Sequence, residues 1–120
     1  MKLVITAQGT ELEASVEARF GRAPYFVLVD LDTGRFSAHE NVQNLNAAQG
    51  AGIQSAQTLA NLGVQTLLTG NVGPKAFATL QAAGISVYIG VTGTITEAIE
   101  AFRAGRLRPA AEANVEGHQI

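Results

Sequence analysis

The chain has 120 residues, 47% of them hydrophobic and 15% charged, with a formal net charge of -2; that is enough apolar material for one compact domain and too little net charge for a disordered one. The absence of Cys excludes disulfides, thiolate metal ligands and a Cys nucleophile, and eight Lys+Arg against ten Asp+Glu supply no broad basic field for nucleic acid. No apolar run approaches the roughly 20 residues of a spanning helix, and Met1-Lys2 leads directly into a strand-like run rather than a leader, so a soluble cytoplasmic protein with no nucleic-acid or membrane partner is expected.

Lys2 to Ala7 (KLVITA) is a short β-branched run closed by Gln8-Gly9 and reads as a buried first strand. Residues 10 to 24 carry Leu12, Val16 and Phe20 at helical spacing, but Gly21 and Pro24 interrupt them, which predicts a long loop with one helical turn. Tyr25 to Leu31 and Arg35 to Glu40 flank Asp32-Thr33-Gly34, the signature of an antiparallel hairpin. After the polar stretch Asn41 to Gly52, the stripe Ile53, Ala56, Leu59, Ala60, Leu62 predicts a helix ended by Gly63. Gln65 to Thr69 is the fourth strand, Pro74 opens a helix that stops at Gly84, and Ile85 to Ile89 is the fifth strand. Thr94 and Glu97 form a capping box for a last helix that ends at Gly105. Residues 1–107 are read as a single α/β domain, a five-stranded mixed sheet with an antiparallel hairpin plus parallel strands, flanked by helices; residues 108–120 are read as a polar tail.

If strands one, three, four and five run the same way, their C-terminal ends share one edge, where open α/β sheets bind ligands. That edge carries the Thr69 to Lys75 segment (TGNVGPK), whose amides, helix dipole and Lys75 charge can face an anion. The segment lacks the P-loop and dinucleotide spacings, and as a bare motif it reads equally as an ordinary strand-to-helix turn. Arg19-Phe20-Gly21-Arg22 adds two cations to the same edge. The pair is either a local electropositive spot or solvated arginines, one of them bridging to Glu17; the adjacent Gly21 favours a loop that adapts to a ligand. Asn44 to Gly52 reads as a loop closing over a ligand, with an N-terminal extension of the next helix as the alternative.

Other chemistry finds less support. His39, at the end of the third strand, is a weak metal candidate, and His118 lies in the tail; two distant histidines make no recognised metal spacing. Asp30, Asp32 and Glu40 surround the hairpin, while the first strand carries no carboxylate, which argues against a two-metal nuclease. Asp32 is explained by the turn. No Ser-His-Asp constellation is present.

FGRAPYFVLVD (Phe20 to Asp30), GAGIQSAQTLANLGV (Gly50 to Val64), TGNVGPKAFATLQAAGISVY (Thr69 to Tyr88) and GTITEAIEAFRAGRL (Gly93 to Leu107) together resemble the dinitrogenase iron-molybdenum cofactor biosynthesis family over nearly the whole chain. The resemblance implies a ribonuclease-H-like fold and a non-catalytic protein that carries, stores or helps assemble a metal-sulfur cluster and exchanges it with delivering or receiving proteins. The single domain without Cys is similar to members that hold a molybdenum-copper sulfide cluster non-covalently; an iron-molybdenum type cluster is the other option. Where family members that bind the iron-molybdenum cofactor often have His-Phe-Gly, this chain has Arg19-Phe20-Gly21. A protonated guanidinium cannot ligate a metal, so charge pairing with a thiometallate replaces ligation. A cluster that brings its own sulfides needs only N–H donors, cations and an apolar wall. Arg19, Arg22 and Lys75 are the expected cations, Gly9, Thr10, Gly70, Asn71 and Gly73 the expected donors, and Val72 the apolar contact. A cluster-free module that binds a partner protein is the rival reading.

Overall fold

The computed structural model describes residues 1–42 and 50–114. Strands β1 (Lys2–Ala7), β2 (Tyr25–Asp30), β3 (Phe36–Glu40), β4 (Thr66–Leu68) and β5 (Ser86–Tyr88) form one sheet in the order β3-β2-β1-β4-β5. β2 runs antiparallel to β1 and β3, while β1, β4 and β5 are parallel. This is the mixed α/β arrangement expected of a ribonuclease-H-like motif. Each of the last four strands is one or two residues shorter than its predicted run; at β4 and β5 the buried residues Thr69 and Ile85 lie just outside the ladder. Leu3 to Ala7 are buried throughout, which explains why β1 reads as a continuous apolar run rather than an alternating one.

The hairpin closes where the sequence places it. Gly34 adopts φ +76 and donates to the Asp30 carbonyl (2.8 Å), and the Asp30 amide donates to Arg35 O (2.9 Å). Asp30 Oδ1 accepts from the Asp32 amide (2.9 Å), and the Asp32 carboxylate pairs with the Met1 ammonium at 2.7 Å. That hydrogen bond and charge hold the Asp32 carboxyl below its usual pKa. Both aspartates serve the turn, at the end of β1 remote from the ligand edge.

Helices α1 (Gly50–Leu62) and α2 (Pro74–Ala82) cover one face of the sheet, and α3 (Ile95–Arg103) the other. Val4, Phe26, Leu67 and Val87 pack beneath α1 and α2 with Ala56, Leu59 and Leu80; Leu3, Ile5, Val27 and Leu68 pack beneath α3 with Ile95 and Ala98. Each fully buried aliphatic side chain contributes on the order of 1.5–3 kcal/mol. α1 begins at Gly50, so the loop reading of Asn44 to Gly52 fails for residues 50–52, where the helical alternative holds; residues 43–49 lie outside the described residues, as does His118. Gly52 lies where α1 meets α2: a Cβ there would stand 3.2 Å from Ala76 Cβ, so the glycine that weakens the helix by propensity permits its packing. No helix among the described residues is long and apolar enough to cross a membrane.

Leu12, Val16 and Phe20 share a helical period without sharing a helix. Val16 and Leu12 pack on the α3 side of the sheet, whereas Phe20 is buried on the α1 side, its ring centroid 6.1 Å from that of Phe26. The connection therefore crosses over the C-terminal end of the sheet from one face to the other, with a short 3-10 turn at Phe20–Arg22.

Candidate functional site at the start of helix α2

The crossing segment lies across the end of β4. The Asn71 amide donates to Ala18 O (2.6 Å) and the Phe20 amide to Asn71 O (3.1 Å), so Arg19 and Asn71 face each other in a parallel bridge. Gly70 is required by this contact, since a Cβ would lie 2.7 Å from the backbone of Ala18. Lower down, the Thr6 hydroxyl donates to Glu17 O (2.7 Å) and is 2.8 Å from the Thr69 hydroxyl, while the Glu17 amide donates to Thr6 O (2.8 Å). Hydrogen bonds from Thr6 and Asn71 and the buried Phe20 ring anchor the segment, and Gly21 itself is buried.

These contacts bring Arg19, Gly70, Asn71 and Val72 together, and Gly73, Lys75 and the α2 start follow directly. Arg22 ends the 3-10 turn, its amide donating to Arg19 O (3.1 Å), with its side chain exposed. Arg19 is 63% exposed and its Nε lies 3.5 Å from Oε2 of Glu17, a carboxylate only 10% exposed. Glu17 Oε2 also accepts the Arg19 amide (2.9 Å). The bridge weighed from sequence therefore exists, and it leaves the Arg19 side chain largely exposed. α2 opens at Gly73 with no side-chain cap and with Pro at its first position, so its N-terminal dipole is capped by no described side chain.

Of the expected donors Asn71 is already engaged, and Val72, expected as an apolar contact for the ligand, is instead buried in the α1/α2 core with its amide engaged as well. The Asn71 amide serves Ala18, and the Val72 amide donates to Asn114 Oδ1 at 2.8 Å. Gly9 and Thr10 sit elsewhere, on the reversal between Gln8 and Ser15 whose far side joins α3: the Ile95 amide donates to Ala14 O (2.9 Å) and the Thr96 amide to Leu12 O (3.0 Å). His39 accepts from or donates to the Ser37 hydroxyl (3.0 Å) on β3, three strand spacings from β4, roughly 14 Å. Among the described residues no three His, Cys, Asp or Glu side chains could hold a metal ion together.

Sequence reasoning missed Asn114. The 108–120 segment reads as polar, yet Ala110 and Ala113 pack against the α1/α2 core, the Ala110 amide donates to Val87 O (2.7 Å), and Asn114 reaches the 70–72 loop. Two alanines three apart in a charged tail were the available signal.

A family model described as dinitrogenase iron-molybdenum cofactor matches residues 1–105, and the chain belongs to that family. Among solved structures, the apo form of the orange protein from Desulfovibrio gigas is 43% identical, with 95% of this chain and 96% of that one covered and a TM-score of 0.90. A Thermotoga protein solved by NMR and described as belonging to the DUF35 family is 39% identical over 97% of this chain and 98% of its own, with a TM-score of 0.81. An uncharacterized protein of Methanocaldococcus jannaschii is 37% identical over 90 residues, 73% of this chain and 76% of that protein.

Proposed function

We propose that the protein is a non-catalytic, cytoplasmic carrier or scaffold that holds an anionic molybdenum-containing metal-sulfide cluster, of molybdenum-copper or iron-molybdenum type, as cargo exchanged with delivering and receiving proteins. The observation that carries this reading is the uncapped start of α2 set beside the Arg19–Asn71 bridge: a helix N-terminus with no side-chain cap, Lys75 in its first turn and Arg19 bridged to the loop that leads into it. The donor chemistry fits cargo that arrives with its own sulfide ligands, because the site offers N–H groups and positive charge, the sequence has no Cys, and no metal-ligating cluster forms among the described residues. Family membership and the likeness to the orange protein support the same reading.

Anaerobic reconstitution with tetrathiomolybdate, with and without a copper salt, followed by gel filtration, tests it. A coloured species co-eluting at a fixed metal-to-protein ratio is expected, and its copper dependence separates the two cluster types. A folded protein that retains no metal under either condition would instead indicate a module that binds a partner protein.

A further inference from the structure

Asn114 meets the 70–72 loop with both ends of its carboxamide and with its backbone amide. Its Oδ1 accepts the Val72 amide (2.8 Å), its Nδ2 donates to Gly70 O (3.1 Å) and to Asn71 Oδ1 (3.0 Å), and its backbone amide donates to Val72 O (3.3 Å). Five residues earlier the same segment runs beside the sheet edge, Pro109 bridging Tyr88 and the Ala110 amide donating to Val87 O (2.7 Å). Residues 109–114 thus form a strap from the β5 edge to the residue preceding the α2 cap. The strap is lightly packed: Ala110 and Ala113 are only half-buried, and Pro109 and Ala110 border a surface cavity of about 390 Å³ shared with Phe77, Ile85 and Val87.

We propose that Asn114 is an internal stand-in for the anion, and that cargo and strap compete for the Val72 amide, so that loading releases residues 109–114 from the 70–72 loop. The physical basis is the satisfaction of one donor in two states. Val72 is buried, and a buried amide without an acceptor is disfavoured, so the empty protein supplies a carboxamide oxygen where the loaded one supplies a sulfide. An amide oxygen suits a reversible occupant: it is neutral, and its NH2 satisfies Gly70 O and Asn71 Oδ1 at the same time. Coupling of this kind is reciprocal, so strap docking weakens cargo binding by the same factor by which cargo weakens docking. The proposal rests on the cluster-binding reading above.

The test combines tetrathiomolybdate affinity with amide hydrogen exchange, on the full chain and on Asn114→Ala. Because the apparent affinity scales with the fraction of molecules whose loop is open, Asn114→Ala should bind roughly 3- to 10-fold more tightly. Exchange at Ala110 should accelerate on loading of the wild type, and in Asn114→Ala without any ligand, while Val4 and Leu67 stay protected in both and confirm the fold. Tightening is the informative sign, since simple structural damage would weaken binding. If the wild type binds and Asn114→Ala binds equally or less well, or if Ala110 stays protected in the loaded protein, the competition is refuted while the cluster reading stands. If neither protein takes up tetrathiomolybdate, the cluster reading fails and the competition falls with it.

Discussion

Two helices start at the same edge of the sheet and are finished in opposite ways. At α3 the Thr94 hydroxyl accepts the Glu97 amide (3.1 Å), the Glu97 carboxylate accepts the Thr94 amide (2.9 Å), and the carbonyls of Ala14 and Leu12 take the amides of Ile95 and Thr96. The unpaired donors of its first turn are satisfied by the protein itself, and a carboxylate already faces its dipole. At α2 the cap is Gly73 with no side-chain hydrogen bond, the first position is Pro, and the neighbouring charges are Lys75 in the first turn and Arg19 bridged to Asn71. A sealed helix start is structural; one without a side-chain cap, bordered by cations, retains its attraction for an anion.

The largest effect is expected from removing the charge half of the contrast. Replacing Arg19, Arg22 and Lys75 together with Gln should abolish metal retention after reconstitution while the thermal midpoint stays within a few degrees, because all three side chains are exposed. Full retention would show that α2 needs no cations. Next comes Gly70→Ala, which drives a Cβ into the Ala18 backbone at 2.7 Å and should cost about 1–3 kcal/mol in denaturant unfolding, with weakened cargo binding as Arg19 is pushed from Asn71. A smaller, one-sided effect belongs to α3: Thr94→Ala should cost about 0.5–2 kcal/mol by loss of the capping box and leave retention unchanged. If retention falls with Thr94→Ala, the two starts are not functionally distinct. The smallest change concerns Asp32, far from both. The Met1 ammonium holds its folded pKa below the ordinary aspartate value, so its stabilisation is present above that value and lost as pH falls through the lower folded one. Asp32→Asn should therefore slightly flatten the acid limb of the stability-pH curve and do nothing to cargo binding.

The contrast between the two starts was only half legible in the sequence. Thr94 and Glu97 announce the α3 cap because a capping box is local, its two members three positions apart, and the order and types of all the main elements follow from runs and periods of the same short range. Gly34, Gly63 and Gly84 mark their turns for the same reason, each taking the positive φ that the reading assigns to a turn or helix end. What defeated local reading was pairing at long range. The Arg19–Asn71 bridge spans 52 positions of chain and the Asn114–Val72 contact 42, and neither partner carries a pattern that names the other. Leu12, Val16 and Phe20 show the cost directly, since a helical period there conceals side chains buried on opposite faces of the sheet. Gly9 and Thr10 share a loop with Arg19 in the sequence, but that loop changes faces between them. The start of α1 is hidden from local reading because propensity penalises Gly52, and only the approach of Ala76 explains the glycine.

The most direct measurement follows backbone amide chemical shifts while tetrathiomolybdate is titrated into the protein under anaerobic conditions. Shifts concentrated at Asn71 to Ala76 and at Arg19, with Ile95, Thr96 and Glu97 unmoved, are the expected result. Shifts centred on the α3 start, or metal retained with no change at Asn71 to Ala76, would contradict the assignment of α2 as the cargo site.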